Sequence, residues 1–252
     1  MKAIILSAGQ GRRLLPLTAA RPKSALSVGP RTIIEWQLLE IAPCAVDEVV
    51  VVTGFGAEVI DAILARHHAV PTRTLFNPFH AQSDNLGSCW VARGEMTSDF
   101  VIINGDTLFE ARILRRLLAS AADAAVTLVT DSKASYDDDD MKVIVNDDRL
   151  LRVGKQLDRA QVNGESIGMM MFRGAGPGLF SAQIERMMRH GAGLKQWYLA
   201  AVDQLAQNGA VATCPINGLR WCEIDTVEDL RHAIAAVADW YPPGAPVARS
   251  AR

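Results

Sequence analysis

Short apolar runs alternate with helical patterns through the first half of this chain, and that alternation constrains its fold more than any other feature. Ala3 to Leu6 precedes Ile33 to Ile41, Val49 to Thr53 precedes Val59 to Leu64, and Phe100 to Asn104 precedes Ile113 to Leu118. Strands separated in this way by helices imply βαβ units and a parallel sheet. Val59, Ile60, Ile63 and Leu64, like Ile113, Leu114, Leu117 and Leu118, fall at i, i+1, i+4 and i+5, a single apolar stripe that belongs in a core. Further strands are predicted at Ala124 to Thr130, Lys142 to Val145, Leu150 to Val153 and Gly168 to Phe172. The short spacing of the middle ones suggests a small antiparallel insertion near the sheet's edge. Helices are expected at Leu179 to Met188 and Leu194 to Gln207, then strands at Val211 to Thr213 and Trp221 to Ile224. The pattern closes with a helix from Val227 to Ala238, where Thr226 offers an N-cap and Asp229 lies three residues on.

The expected class is therefore α/β, a Rossmann-like mixed sheet, mainly parallel and flanked by helices. A chain of 252 residues with 49% hydrophobic content has enough apolar surface for a large core. It shows no internal repeat or long linker, so residues 1–240 read as one domain and the Pro, Gly and Ala-rich residues 241–252 as a disordered tail. The formal net charge of -2 leaves no electrostatic footprint for nucleic acid. Cys44, Cys89, Cys214 and Cys222 are scattered, without the spacing of a disulfide framework or a zinc site. The apolar run after Met1 passes straight into glycines and arginines, too short for a secretory or membrane segment, so a cytosolic protein is expected.

The first strand runs into Ser7-Ala8-Gly9-Gln10-Gly11-Arg12-Arg13-Leu14. Glycines in such a turn let backbone N–H groups approach a phosphate, and the arginines add charged donors. Leu14 stands where a dinucleotide fingerprint has its last glycine, no acid closes the second strand at Val52-Thr53, and the loop is not GxxxxGK[ST]. By itself the loop reads equally as a solvated tight turn. The continuation through Pro16, Leu17 and Thr18 to Pro22-Lys23 changes this. The whole stretch from Lys2 to Leu26 resembles the N-terminal motif of nucleotidylyltransferases that act on sugar phosphates and phospho-alcohols, a pattern of the form AAGxGxR, PLT, PK. The resemblance implies a GT-A-like nucleotidyltransferase fold. It implies that Ala8, Gly9 and Gly11 line the nucleotide, that Arg13 binds the β- and γ-phosphates and the departing pyrophosphate, and that Lys23 steadies the α-phosphate.

Asp106, in Gly105-Asp106-Thr107, follows a buried strand at the end where open α/β sheets bind ligands. In Trp221-Cys222-Glu223-Ile224-Asp225-Thr226, Glu223 and Asp225 alternate onto one side of an extended segment. A hard dication such as Mg²⁺ takes one or two carboxylates together with phosphate oxygens. Singly, Asp106 reads as a turn former and Asp225 as a helix-start acid. The resemblance places a metal-binding aspartate at both positions, and its phosphocholine-type branch has the acid corresponding to Glu223.

The run Asn77 to Ser88 resembles the Asn…Asn-x-x-Ser sequence of bacterial phosphocholine, phosphoinositol and aminoethylphosphonate cytidylyltransferases. Asn85 and Ser88 suit a cytosine edge, although Asn85 equally suits a helix cap. Met141-Lys142-Val143, Val153-Gly154-Lys155 and Gly164 to Gly168 resemble the middle of that branch. Lys155 becomes the ligand of the incoming phosphate, or else an exposed lysine after a strand. Glu165 suits a substrate amine or hydroxyl, and Trp197 or Tyr198 a quaternary ammonium, although such aromatics are more often core. The acids Asp137 to Asp140 read as a solvated loop, or as a screen for cationic substrates. The implied activity is transfer of CMP from CTP to a small phosphorylated alcohol or phosphonate, with Arg13, Lys23 and Lys155 as its cations. The alternatives are a sugar-1-phosphate nucleotidylyltransferase using UTP or another NTP, and a non-catalytic nucleotide-binding regulator on the same scaffold.

Overall fold

Along the first strand, β1 (Lys2–Ser7), Ala3 and Ile5 enter one apolar cluster and Ile4 enters another, so the sheet is covered on both faces. That is why its run carries no polar alternation. The computed structural model describes residues 1–121, 123–190 and 193–242. After β1 a small hairpin, β2 (Ser27–Val28) and β3 (Arg31–Thr32), leads to α1 (Ile33–Ile41), which Thr32 and Glu35 begin with a capping box. Next come β4 (Glu48–Thr53), α2 (Ala57–Leu64), β5 (Thr72–Phe76), α3 (Asn85–Ala92), β6 (Phe100–Asn104), β7 (Thr107–Phe109) and α4 (Ala111–Ala119). The second half contains β8 (Val126–Asp131), β9 (Lys142–Asn146), β10 (Arg149–Gly154), β11 (Gly164–Phe172), α5 (Gly176–Arg189), α6 (Leu199–Gln207), β12 (Val211–Pro215), β13 (Trp221–Glu223) and α7 (Val227–Trp240).

The main sheet has nine strands in the order β5-β4-β1-β6-β11-β8-β12-β10-β9. β5, β4, β1 and β6 are parallel, as is β12 to β8, whereas β11 runs antiparallel between β6 and β8. The sheet is thus mixed, as expected. β9 and β10 form the antiparallel edge anticipated from their spacing, but β11 lies centrally. Helices α1, α2 and α4 cover one face, and α3, α5 and α6 the other.

Two features position the site. The chain proceeds outward from β1 through β4 to β5 and then returns to place β6 on the other side of β1. The carboxyl ends of β1 and β6 are therefore a topological switch point, where a crevice opens. Separately, β13 pairs with β7, a strand the sequence does not announce, and α7 packs with α1 and the β2–β3 hairpin in a third apolar cluster.

At the far end, Tyr241 stacks on Trp36 at 4.7 Å and its hydroxyl donates to Glu40 at 2.5 Å. This residue, expected in the tail, belongs to the folded body because it covers that third cluster. The rest of the expected tail, from residue 243, lies outside the described residues. Among the described residues no helix is long and apolar enough to cross a membrane.

Candidate active site

Beyond Ser7 the chain leaves the sheet, and the backbone N–H groups of Gly9, Gln10 and Gly11 donate to no other described residue. They are free donors of the kind that cradle phosphate. Gly11 has φ 76°, and a Cβ there would lie 2.9 Å from the Lys23 Cβ, so only glycine lets the loop lie against the lysine stem. Thr18 donates its hydroxyl to the Gly11 carbonyl at 2.9 Å, folding the segment back so that Arg13 and Lys23 line one cleft.

The opposite wall begins at β6. Gly105 N–H donates to the Leu6 carbonyl at 3.0 Å, and a Cβ on Gly105 would fall 2.5 Å from that oxygen. The chain turns tightly against β1 and presents Asp106 to Lys23. β13 then pairs Glu223 with Thr107, and Ile224 N–H donates to the Asp106 carbonyl at 3.1 Å, which sets Asp225 beside Asp106.

The Lys23 ammonium lies 2.6 Å from Asp106 and 2.5 Å from one oxygen of Asp225, whose other oxygen meets Arg13 at 2.6 Å. Burial opposes the Lys23 charge, but Asp106 and Asp225 outweigh it and hold the ammonium's pKa above its ordinary value. Arg13 also meets Asp139 at 2.5 Å, and the second oxygen of Asp139 meets Lys155 at 3.0 Å. The hydrogen bond from Lys155, and then its charge and that of Arg13, hold Asp139 below its usual range against some desolvation. One carboxylate thus bridges two cations that the sequence assigns to different substrates.

The acids admit a hard cation. Asp106 Oδ1 is buried without any hydrogen-bond partner, a costly condition for a carboxylate oxygen and one that a metal ion relieves. Glu223 does not complete a cage with Asp106 and Asp225: it makes no ion pair among the described residues, and no three His, Cys, Asp or Glu among them are disposed to hold a metal. Desolvation first, and then the charges of Asp106 and Asp225, push its carboxyl above its ordinary range.

The cleft measures about 370 Å³. Ala8, Gly9, Asn85, Ser88 and Trp197 line it, together with His80 and Asn104, which sequence reasoning passed over. Asn85 is not the helix cap, since Asp84 precedes α3. Its Oδ1 accepts from Tyr198 N–H at 2.9 Å, which leaves its amide nitrogen without a partner among the described residues and available to the cleft. Ser88 is buried, and its hydroxyl accepts from Asn77 at 3.2 Å.

Acceptor-site expectations change at Tyr198 and Glu165. Tyr198 is fully buried and donates its hydroxyl to Asn104 at 2.9 Å, so its ring supports the cleft floor and cannot face a substrate. Glu165, 5% exposed, is tied to Lys133 at 3.0 Å and lines no part of the cleft. Trp197 is exposed, but the ammonium over its ring, 4.8 Å from the centroid, is that of Lys155. The acid run is also more than solvated: besides Asp139, Asp138 pairs with Arg159 and Asp140 with Lys133.

Residues 3–197 match the MobA-like NTP transferase domain family. A CMP-5'-(3-aminopropyl)phosphonate synthase of Streptomyces rubellomurinus is 28% identical over 92% of this chain and 38% of its own length. The choline-phosphate cytidylyltransferase of Streptococcus pneumoniae is 30% identical over 44% of this chain and 47% of its own. The chain therefore spans less than half the length of either relative. The inositol-1-phosphate CTP transferase structure from T. maritima shares the fold with a TM-score of 0.79 at 19% identity, covering 94% of this chain and 96% of that one.

Proposed function

The chain belongs to the MobA-like NTP transferase domain family, nucleotidylyltransferases, and on that premise we propose that it transfers CMP from CTP to a small phosphorylated alcohol or phosphonate, releasing pyrophosphate. The observation that carries the reading is the convergence of Lys23, Arg13, Asp106 and Asp225 at the β1–β6 switch point, beneath a loop of free backbone N–H groups. Anion-binding groups and metal-binding acids in one small cleft suit a polyphosphate that enters with a cation.

In this reading an oxygen of the acceptor phosphate attacks the α-phosphorus, and the bond to the pyrophosphate oxygen breaks as that oxygen takes up the charge. The protein positions and stabilises; no side chain need form a bond. The glycine loop and Arg13 hold the β- and γ-phosphates, Lys23 supports the α-phosphate, and Lys155 brings in the acceptor phosphate. Asp106 and Asp225 would hold Mg²⁺, which when bound neutralises phosphate oxygens. Asn85 and Ser88 favour cytidine, and so does the name of the CMP-5'-(3-aminopropyl)phosphonate synthase, whose similarity covers 92% of this chain.

A matrix of CTP, UTP, ATP and GTP against phosphocholine, phosphoethanolamine, aminoalkylphosphonates, inositol 1-phosphate and glucose 1-phosphate, read by pyrophosphate release, tests this. Release with CTP and a phospho-alcohol or phosphonate is expected. Turnover with UTP and a sugar 1-phosphate but not with CTP would overturn the cytidylyl assignment.

A further inference from the structure

Lys142 is the first residue of β9 and one of the most deeply buried side chains in the protein, 1% exposed. No carboxylate lies within ion-pair distance of its ammonium among the described residues. Its hydrogen bonds run to two backbone carbonyls instead, that of Lys155 at 3.0 Å and that of Asp140 at 3.3 Å. Burying an ammonium is expensive, and an apolar side chain of equal length would fill the space at lower cost. What the ammonium supplies, and methionine cannot, is direction: two carbonyls held at fixed points around one nitrogen.

Those carbonyls occupy informative places. In the sheet register Lys142 faces Gly154 of β10 on one side and Glu165 of β11 on the other. It therefore sits where β10 ends and β9 and β11 begin. The Lys155 carbonyl belongs to the cation assigned to the acceptor phosphate, and the Asp140 carbonyl immediately follows Asp139, which that cation pairs with at 3.0 Å. One buried nitrogen thus holds the backbone of Lys155 and of the residue that follows Asp139. Lys133 secures the same loop from the side, through Asp140 at 2.7 Å and Glu165 at 3.0 Å.

We infer that Lys142 is a positioning residue for acceptor capture, holding the backbone of Lys155 and of the Asp139–Asp140 loop so that the Lys155 ammonium stands at the acceptor side of the cleft. The inference rests on the transfer reading proposed above. It makes a selective claim, because nothing in the nucleotide's cradle touches Lys142. Misplacing a catalytic group by about an ångström costs on the order of a hundredfold in rate.

The test is steady-state kinetics of Lys142→Met with the nucleotide and acceptor that the wild type turns over, together with CTP binding by calorimetry and hydrogen exchange of the backbone amides. The expected result is an acceptor KM raised about tenfold or more and a lowered kcat, with the CTP Kd changed by no more than the roughly two- to fivefold that loosening Asp139 from Arg13 allows. Faster exchange should be confined to segments 138–142 and 154–157. Lys142→Arg, which retains donors for both carbonyls, should recover part of the acceptor KM. If the methionine variant does not fold, Lys142→Gln is judged by the same criteria. An unchanged acceptor KM, or acceptor and CTP affinity weakened equally, would overturn the inference. A wild type that transfers no nucleotide would defeat the functional reading alone. Exchange would then decide the positioning: faster exchange confined to those two segments supports it, and none there refutes it.

Discussion

The Lys23 ammonium lies 2.6 Å from the Asp106 carboxylate, so the cation assigned to the α-phosphate and an acid assigned to the metal neutralise each other directly. Lys23 becomes available to a phosphate only as Asp106 and Asp225 find another cation. In the proposed reading, the pairing couples nucleotide binding to metal binding through a single side chain.

Lys23→Met should therefore have two opposed effects. kcat falls on the order of a hundredfold, a barrier raised by about 3 kcal/mol, because the α-phosphate loses its nearest cation. The Mg²⁺ concentration needed for half-maximal CTP binding falls as well, since Asp106 is freed and Asp225 keeps only Arg13 as a partner. Titrating Mg²⁺ against CTP binding in the variant checks this; a weakened metal requirement for half-saturation is predicted, and an increased one would show that Lys23 does not compete for the acids.

Lys155→Met keeps most of the aliphatic stem while deleting the charge. The acceptor KM should rise and kcat fall, with CTP affinity little changed. Initial rates at varied acceptor and fixed saturating CTP measure it. Loss of CTP affinity with a normal acceptor KM would reverse the orientation of the two substrates.

Asp139 pairs with both Arg13 and Lys155, and under the proposed roles of those cations the substrates have to displace it. Asp139→Asn should lower the KM for CTP and for the acceptor by about two- to fivefold each, the scale of an exposed ion pair. The gain should shrink as salt is raised. Higher KM values in the variant would instead make Asp139 a substrate ligand.

Glu165 supplies a pH test. Burial, with Asp140 nearby, pushes its carboxyl up to about 7 although Lys133 opposes the shift. The folded protein thus holds a proton that the unfolded chain releases near 4.5. That contribution to stability is complete below the unfolded pKa and is lost as pH rises through about 7. Glu165→Gln should remove this slope and stabilise the protein relative to wild type at pH 8, by on the order of 1–3 kcal/mol. Melting temperatures from pH 5 to 8 test it, and parallel curves for the two proteins would contradict the assignment.

Much of this was legible because the strongest signals are local. β1, β4 and β6 declare themselves as apolar runs, and the Gly9-Gln10-Gly11 loop leads directly to Arg13. The capping box of α7 was visible in Thr226 and Asp229 alone. What was hidden depends on distant pairing. β7 has only three residues and takes its identity from β13. Asp139 looked like one solvated acid among four because its partner Arg13 stands 126 positions away. Tyr198 and Trp197, adjacent in sequence, part company because one is buried against Asn104 and the other stays exposed beside Lys155. No periodicity distinguishes them.

The most direct test of the central claim is the turnover of Asp225→Asn, because this carboxylate meets both Lys23 and Arg13 and is one of the two acids proposed to hold metal. The measurement is kcat for pyrophosphate release at saturating Mg²⁺, with CTP and an acceptor that the wild type uses, alongside a melting temperature. The account predicts a loss of about a thousandfold with the fold intact, since a carboxylate that anchors charge in the transition state is removed while packing is kept. Near-normal turnover in that variant would contradict it.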